Sequence, residues 1–157
     1  MDTRSIETVY GAHAQEMVRF ATGLIGPNDA PDVAVDAFVR LVGSPVWNEA
    51  RDRRALWYRA ITFEARSWKR SAARRRIRET AVVSQGGVIS AARPDPDEQV
   101  IDALDRLSPQ QRAIIMLTYW ADLDPGSVAA RLGVSEGSVR KQLARARKKL
   151  KGELDHG

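Results

Sequence analysis

The chain contains no cysteine, which removes disulfides, thiolate metal sites and thiol switches from consideration. It has little histidine. His13 and His156 stand far apart, so a metal or acid–base centre built on imidazole is not expected. No apolar run approaches the roughly 20 residues that span a bilayer. The N-terminus lacks the apolar core after a basic start that marks a signal peptide. These absences predict a soluble, cytoplasmic protein. The sequence also lacks a nucleophile–base pair, a phosphate-binding glycine loop and a metal-ligand cluster, so no enzyme activity, cofactor or metal is expected. Neither an internal repeat nor a β-strand pattern of useful length is found.

What the chain has is positive charge, unevenly placed. Twenty-five Lys and Arg stand against 20 Asp and Glu, a net +5 with a pI near 10.0, which points towards a polyanionic partner. A hydrophobic content of 43% argues against wholesale disorder, and 157 residues suffice for one compact domain or two small ones. The stretch from Arg66 to Arg78 holds basic residues and no acid, and Arg140 to Lys151 repeats that balance. Glu79 to Gly137, between them, is acid-rich. Two separate basic surfaces are therefore expected.

The most informative stretch runs from Asp124 to Lys151. Asp124 followed by Pro125 reads as a helix start, an N-cap acceptor and then a proline whose missing N–H costs nothing in the first turn. A short helix through Ser127 to Leu132 ends at Gly133, where a tight turn needs a left-handed residue. Ser135 caps a second helix with Val139, Leu143, Ala146 and Leu150 on one apolar stripe. The spacing is that of a helix-turn-helix, whose second helix lies in the DNA major groove. Its other face carries Arg140, Lys141, Arg145, Lys148 and Lys149, with Arg147 and Lys151 at the edges. Glu partners at helical spacing are not expected, since no acid lies between Ser138 and Lys151. Ser135, Glu136, Ser138, Arg140 and Lys141 fall in the first turns, within reach of base edges. Arg145, Lys148 and Lys149 are assigned to phosphates, which supply affinity without sequence information.

Upstream, apolar residues recur at helical spacing from Ile6 to Ile25. A second helix is predicted to start between Asp29 and Asp32 and to bury Val33, Ala37, Phe38, Leu41 and Val42. Gly43 to Pro45 end it, and Val46 to Asp52 reads as a loop. A long helix from about Arg53 to Arg78 sets Leu56, Trp57, Ala60, Ile61, Ala65 and Trp68 inward. Residues 79–97 read as a flexible linker. Beyond it Val100, Ile101, Leu104 and Leu107 pack on a helix, Ser108 and Pro109 cap the next, and Ile114, Ile115, Leu117, Tyr119 and Trp120 follow. The fold class is all-α: two small helical domains, 1–78 and 98–157, joined by the linker. They are expected to be loosely tied, each turning a cationic flank outward. A single fused body, or those arginines neutralised inside it by internal carboxylates, would count against the whole reading built on that expectation.

Three stretches resemble the extracytoplasmic-function (ECF) group of bacterial sigma factors in the sigma-70 family. Leu24 to Leu41 (LIGPNDAPDVAVDAFVRL) is similar to the family helix with an Asp, an acid four positions on and a Phe two beyond. Trp57 to Arg76 (WYRAITFEARSWKRSAARRR) is similar to its tryptophan-led helix ending in arginines. Leu104 to Leu150 is similar to its promoter-reading C-terminal domain and is the most specific of the three. The resemblance implies a subunit that binds core RNA polymerase and directs initiation at promoter DNA. It places Asp32, Asp36, Phe38 and Leu41 on the polymerase clamp-binding helix, and Trp57, Arg59, Arg66, Lys69 and Arg70 on the minus-ten helix. Trp47 and Asn48 fall in the loop that receives a flipped base in the family. Phe38, Trp57 and Trp47 have plain core roles as the competing reading. The family also allows an anti-sigma protein as a partner, wedged between the lobes. Val35, Glu64 and Trp68 depart from the usual Gln, Asn and Asp, and Ser127 from a usual Glu. Two other functions compete: a stand-alone helix-turn-helix regulator acting as a dimer, and a degenerate sigma-like module that only binds proteins.

Overall fold

The computed structural model describes residues 3–83 and 96–155, with side chains from 3–79 and 99–155. Eight α-helices and one π-helical turn make up the described chain, and no strand occurs among the described residues. The first lobe consists of α1 (Thr3–Ile25), α2 (Ala30–Val42), α3 (Val46–Glu49) and α4 (Arg53–Val83). The second holds α5 (Pro96–Asp105), α6 (Pro109–Ile115), the π turn Met116–Trp120, α7 (Pro125–Leu132) and α8 (Glu136–Asp155).

The first lobe is built around aromatic side chains. Phe38 lies between Trp47 and Trp57, with ring centroids 5.5 and 4.5 Å away, and Phe20 meets Tyr58 edge-on at 4.7 Å. Each such ring removes about 150–250 Å² from water. Ala30, Ala34 and Ala37 on α2 are buried, and these small residues let the helix come close to α1 and α4. The predicted loop Val46 to Asp52 is corrected: Val46–Glu49 forms one helical turn, whose Trp47 is driven into the core at 2% exposure. Asp52 then accepts a hydrogen bond from the Ala55 N–H at 3.0 Å and caps α4.

Two further element boundaries differ from expectation. α4 continues to Val83 and α5 begins at Pro96, so both ends of the predicted linker are helical. Residues 84–95, its centre, lie outside the described residues. The other change falls after α6. Ser108 and Gln111 form a reciprocal capping box, at 3.1 and 3.2 Å. The winding then widens over Met116–Trp120, closed by the Ala121 N–H on the Met116 carbonyl at 3.2 Å. The extra residue in that turn shifts the helical register. Leu117 stays in the core, while Tyr119 and Trp120 are 57% and 58% exposed.

The largest correction concerns how the lobes sit. They are expected to be loosely tied, yet they pack against each other, and their cores merge into one apolar cluster from Met17 to Ala146. α4 lies along α6 and α7, and α1 touches α6. The cause is a set of polar and close-packed contacts that no local sequence pattern announces. Arg112 Nε donates to the Gly23 carbonyl at 2.6 Å, Lys69 Nζ to the Leu107 carbonyl at 2.5 Å, and Arg131 meets Glu16 at 3.3 Å. No helix among the described residues is long and apolar enough to cross a membrane.

Candidate nucleic-acid interface

The turn between α7 and α8 is built as its sequence predicts. Asp124 Oδ1 accepts the Ser127 N–H at 2.7 Å, and this bond holds the Asp124 carboxyl below its usual pKa. Gly133 adopts φ +66° and ψ +36°, and its N–H closes on the Ala129 carbonyl at 2.8 Å. Ser135 Oγ accepts the Ser138 N–H at 3.0 Å and starts α8. Val139, Leu143 and Ala146 are buried and Leu150 is half-buried, so the apolar stripe pins α8 onto α6 and α7.

The opposite face of α8 faces solvent. Ser135, Glu136, Arg140, Lys141, Arg145, Lys148 and Lys149 are exposed, and Ser138 is half-exposed. One expectation changes here. Arg140 does have a helical partner, Glu136 four residues back, with Arg140 Nη2 2.7 Å from the carboxylate. The pair is exposed on both sides, a class of contact worth about 0–1 kcal/mol, so it orients Arg140 rather than consuming it. Arg147 donates to the Tyr119 hydroxyl at 2.5 Å and lies over its ring, which sets the edge of the basic face. Lys149 Nζ donates to the Arg106 carbonyl at 3.1 Å.

The first lobe divides its predicted contacts differently. Asp32 and Asp36 are exposed on α2, whereas Phe38 is 6% exposed and belongs to the core, with Leu41 half-buried behind them. Trp57 is 1% exposed and donates Nε1–H to the Ala34 carbonyl at 2.9 Å. Trp47 is sealed under the Arg53 guanidinium, 4.7 Å from its ring. Both tryptophans are corrected from DNA-facing candidates to core residues, because each has its apolar surface already covered. Asn48 remains exposed beside them. The exposed aromatic surface lies elsewhere: Phe63, 60% exposed, opens onto a groove lined by Leu41, Val46, Leu56, Arg59 and Ala60. Sequence reading missed Phe63 as a site residue, although its place off the inward stripe of Leu56, Trp57, Ala60, Ile61, Ala65 and Trp68 signals that it points away from the core.

Arg59, Arg66 and Arg70 are exposed on α4, with Lys69 half-buried. Burial, together with the Lys149 and Arg112 charges, pushes the Lys69 ammonium below its usual pKa. The departures at Glu64 and Trp68 acquire a structural cause. Glu64 pairs with Arg40, and Trp68 Nε1–H donates to Asp29 Oδ2 at 3.0 Å, so both tie α4 to α2. Val35 is 39% exposed on α2, and nothing in the structure accounts for it.

A second cluster was invisible to sequence reading. The Glu16 carboxylate on α1 accepts from Arg54 Nε at 2.9 Å, from the Tyr58 hydroxyl and from Arg131. Burial alone would push this carboxyl up, but the hydrogen bonds from Arg54 and Tyr58 and the Arg54 and Arg131 charges prevail and hold it below 4.5. Tyr58 moves upward, by burial and by its bond to Glu16. Arg54, Tyr58 and Arg131 lie 38, 42 and 115 residues from the Glu16 they meet, so no local spacing signals the cluster.

The chain is similar to known proteins in sequence and in fold. Residues 97–150 match the model of sigma-70 region 4. The chain is 30% identical to the RNA polymerase sigma-E factor of Streptomyces avermitilis over 88% of its own length and 79% of that protein. It is 30% identical to the ferric citrate uptake sigma factor FecI of Escherichia coli, covering 90% of this chain and 86% of FecI. The fold is similar to that of the sigma factor RpoE of Bartonella quintana, solved in complex with the anti-sigma factor NepR. That match has a TM-score of 0.57 and 21% identity, and covers 98% of both chains.

Proposed function

The chain belongs to the extracytoplasmic-function group of RNA polymerase sigma factors, and we propose that it binds core RNA polymerase and directs initiation at a particular promoter set. The observation that carries this reading is the basic face of α8, free of acids from Ser138 to Lys151 with Glu136 paired to Arg140 ahead of it, held outward by the turn at Gly133 and by the buried stripe beneath it. A helix so mounted enters a major groove with its first turns leading. Ser135, Glu136, Ser138, Arg140 and Lys141 then meet base edges of a duplex minus-thirty-five element. Arg145, Lys148 and Lys149 neutralise phosphates.

The first lobe takes the melted strand. Arg59, Arg66, Lys69 and Arg70 along α4 supply backbone charge, and Phe63 and Asn48 offer an aromatic face and an amide to an unstacked base. Asp32 and Asp36, on the exposed side of α2, present carboxylates to the polymerase. The chain contributes specificity and no catalysis, and acts in the cytoplasm where the polymerase works. An anti-sigma protein fits the same scheme as a partner that competes for these surfaces.

Reconstitution with core polymerase and a promoter library tests the reading. Specific initiation that depends on the added chain is the expected result. Polymerase binding without initiation would leave only a protein-interaction module, and recognition of a palindrome without polymerase would indicate a self-sufficient regulator.

A further inference from the structure

The seam between the lobes encloses a cavity that DNA recognition leaves unused. It measures about 80 Å³ and lies where α4 passes the junction of α5 and α6. Ala65, Lys69, Ala72 and Arg76 line it from one face of α4, at offsets of four, three and four. The second lobe contributes Arg112 from α6 and Asp105 from the end of α5, and Leu24 and Leu107 supply apolar wall.

The charge of this cavity does not balance. Lys69, Arg76 and Arg112 stand against one carboxylate, Asp105, which Arg112 Nη1 already holds at 2.6 Å. The Arg112 side chain is only 12% exposed and Lys69 is half-buried, so water screens these charges poorly. The Lys69 ammonium registers the imbalance. Burial first, then the Lys149, Arg112 and Arg76 charges, push it below its usual pKa, and Asp105 offsets only part of that. Like charges gathered under apolar cover destabilise one another, and an anion shared among them relieves this.

Donors remain to hold such an anion. Among the described residues Lys69 gives one N–H to the Leu107 carbonyl, of the three that an ammonium carries. Arg112 gives Nε–H to the Gly23 carbonyl and one Nη1–H to Asp105, of the five that a guanidinium carries. At roughly 10–15 Å³ per water, the space takes about five to eight waters or one tetrahedral oxyanion. A benzene ring occupies a cavity of about 150 Å³, so an aromatic body is excluded from it. An open groove shares Lys69, Ala73 and Pro109 with the cavity and adds Arg66 and Arg70, with no acid in its lining.

We propose that the cavity binds a small phosphorylated ligand, its phosphoryl group held by Lys69, Arg76 and Arg112 and the rest of the molecule in the groove beside Arg66 and Arg70. Inorganic phosphate carries the same chemistry and fits the cavity by itself. A carboxylate suits the site less, because its two oxygens match one guanidinium fork, whereas a phosphoryl group offers three strong acceptors to three cations from two helices. The occupant touches both lobes. Its binding depends neither on which promoter the chain reads nor on whether it reads one.

Thermal unfolding and isothermal titration of the full chain test the site, with inorganic phosphate, pyrophosphate and adenosine diphosphate as probes at matched ionic strength. A probe at a hundredfold its Kd should raise Tm by about 5–10 °C. Phosphate as tight as the nucleotide identifies the free ion as occupant, and a tighter nucleotide shows that the groove is used; both support the site. Asp105→Asn removes the single carboxylate at constant shape and should tighten phosphate about threefold to tenfold. A purely structural role for Asp105 would leave that affinity where it was. Arg76→Gln, at an exposed position, should weaken phosphate by a similar factor. No binding of any probe up to about 10 mM, ten times a millimolar Kd, would overturn the proposal, as would affinities that neither substitution moves. So would a short single-stranded oligonucleotide that displaces the nucleotide and responds to both substitutions as strongly, since the cavity would then belong to the DNA surface.

Discussion

Replacing Gly133 by alanine tests the turn and the seam together. Its backbone stands at φ +66° and ψ +36°, and a left-handed residue with a Cβ pays about 1–2 kcal/mol. The new methyl would also lie 1.9 Å from Arg59 Nε and 2.0 Å from Cζ, so the guanidinium must move. Arg59 is exposed and has room to swing aside, and two residues in contact couple by about 0.5–1 kcal/mol or more. The expected total is about 2 kcal/mol, which in a chain of this size lowers Tm by roughly 4–8 °C. Thermal unfolding followed by far-ultraviolet circular dichroism would be measured for wild type, Gly133→Ala, Arg59→Ala and the double variant. Against Arg59→Ala, only the backbone strain should remain, and the cost should shrink by the coupling. A Gly133→Ala protein that melts with wild type would refute the left-handed turn. Equal costs in the two backgrounds would refute the contact between Arg59 and the second lobe.

Three other outcomes are expected. Trp47→Ala removes a core ring and should destabilise the first lobe by about 3–5 kcal/mol, impairing duplex binding and strand opening alike, whereas Asn48→Ala should change stability by less than about 0.5 kcal/mol; chemical denaturation and permanganate footprinting separate the two. Arg140→Ala should alter promoter choice, while Lys148→Ala should weaken all promoters alike and reduce the salt slope by about 0.9, which a titration of binding against salt reads directly. Glu16 has its folded pKa held below 4.5, so its contribution is present above that value and is lost as pH falls through the lower folded pKa. Glu16→Gln should therefore flatten the fall of stability below about pH 4.5, and an unaltered acid limb would show that Glu16 carries no ionic contact.

The elements of this protein were legible along the chain because what makes them is local. An N-cap and proline at Asp124 and Pro125, a glycine three residues before the next helix start at Glu136, and a four-three-four apolar stripe act over one or two turns. They specify the helix-turn-helix whatever surrounds it. The basic face of α8 follows from the same stripe by elimination, since whatever leaves the buried side must face solvent. The wider winding at Met116–Trp120 and the single turn at Trp47 escaped that logic, because both depend on what the neighbouring helices leave room for.

Which aromatic faces water, and where the lobes rest, only the tertiary structure decided. Phe38, Trp47 and Trp57 are drawn inward by one another, and Phe63 is left outside by the register of α4. Periodicity gives a side chain a direction about its own helix axis; it does not say whether another helix stands there. Glu64 and Trp68 look like weaknesses on a DNA-facing helix until Arg40 and Asp29 are seen beside them. The same holds for the seam. Glu16 and Arg131 are 115 residues apart, and no chain-local interaction favours or forbids their meeting. Only the packing of α4 against α6 and α7 brings them together.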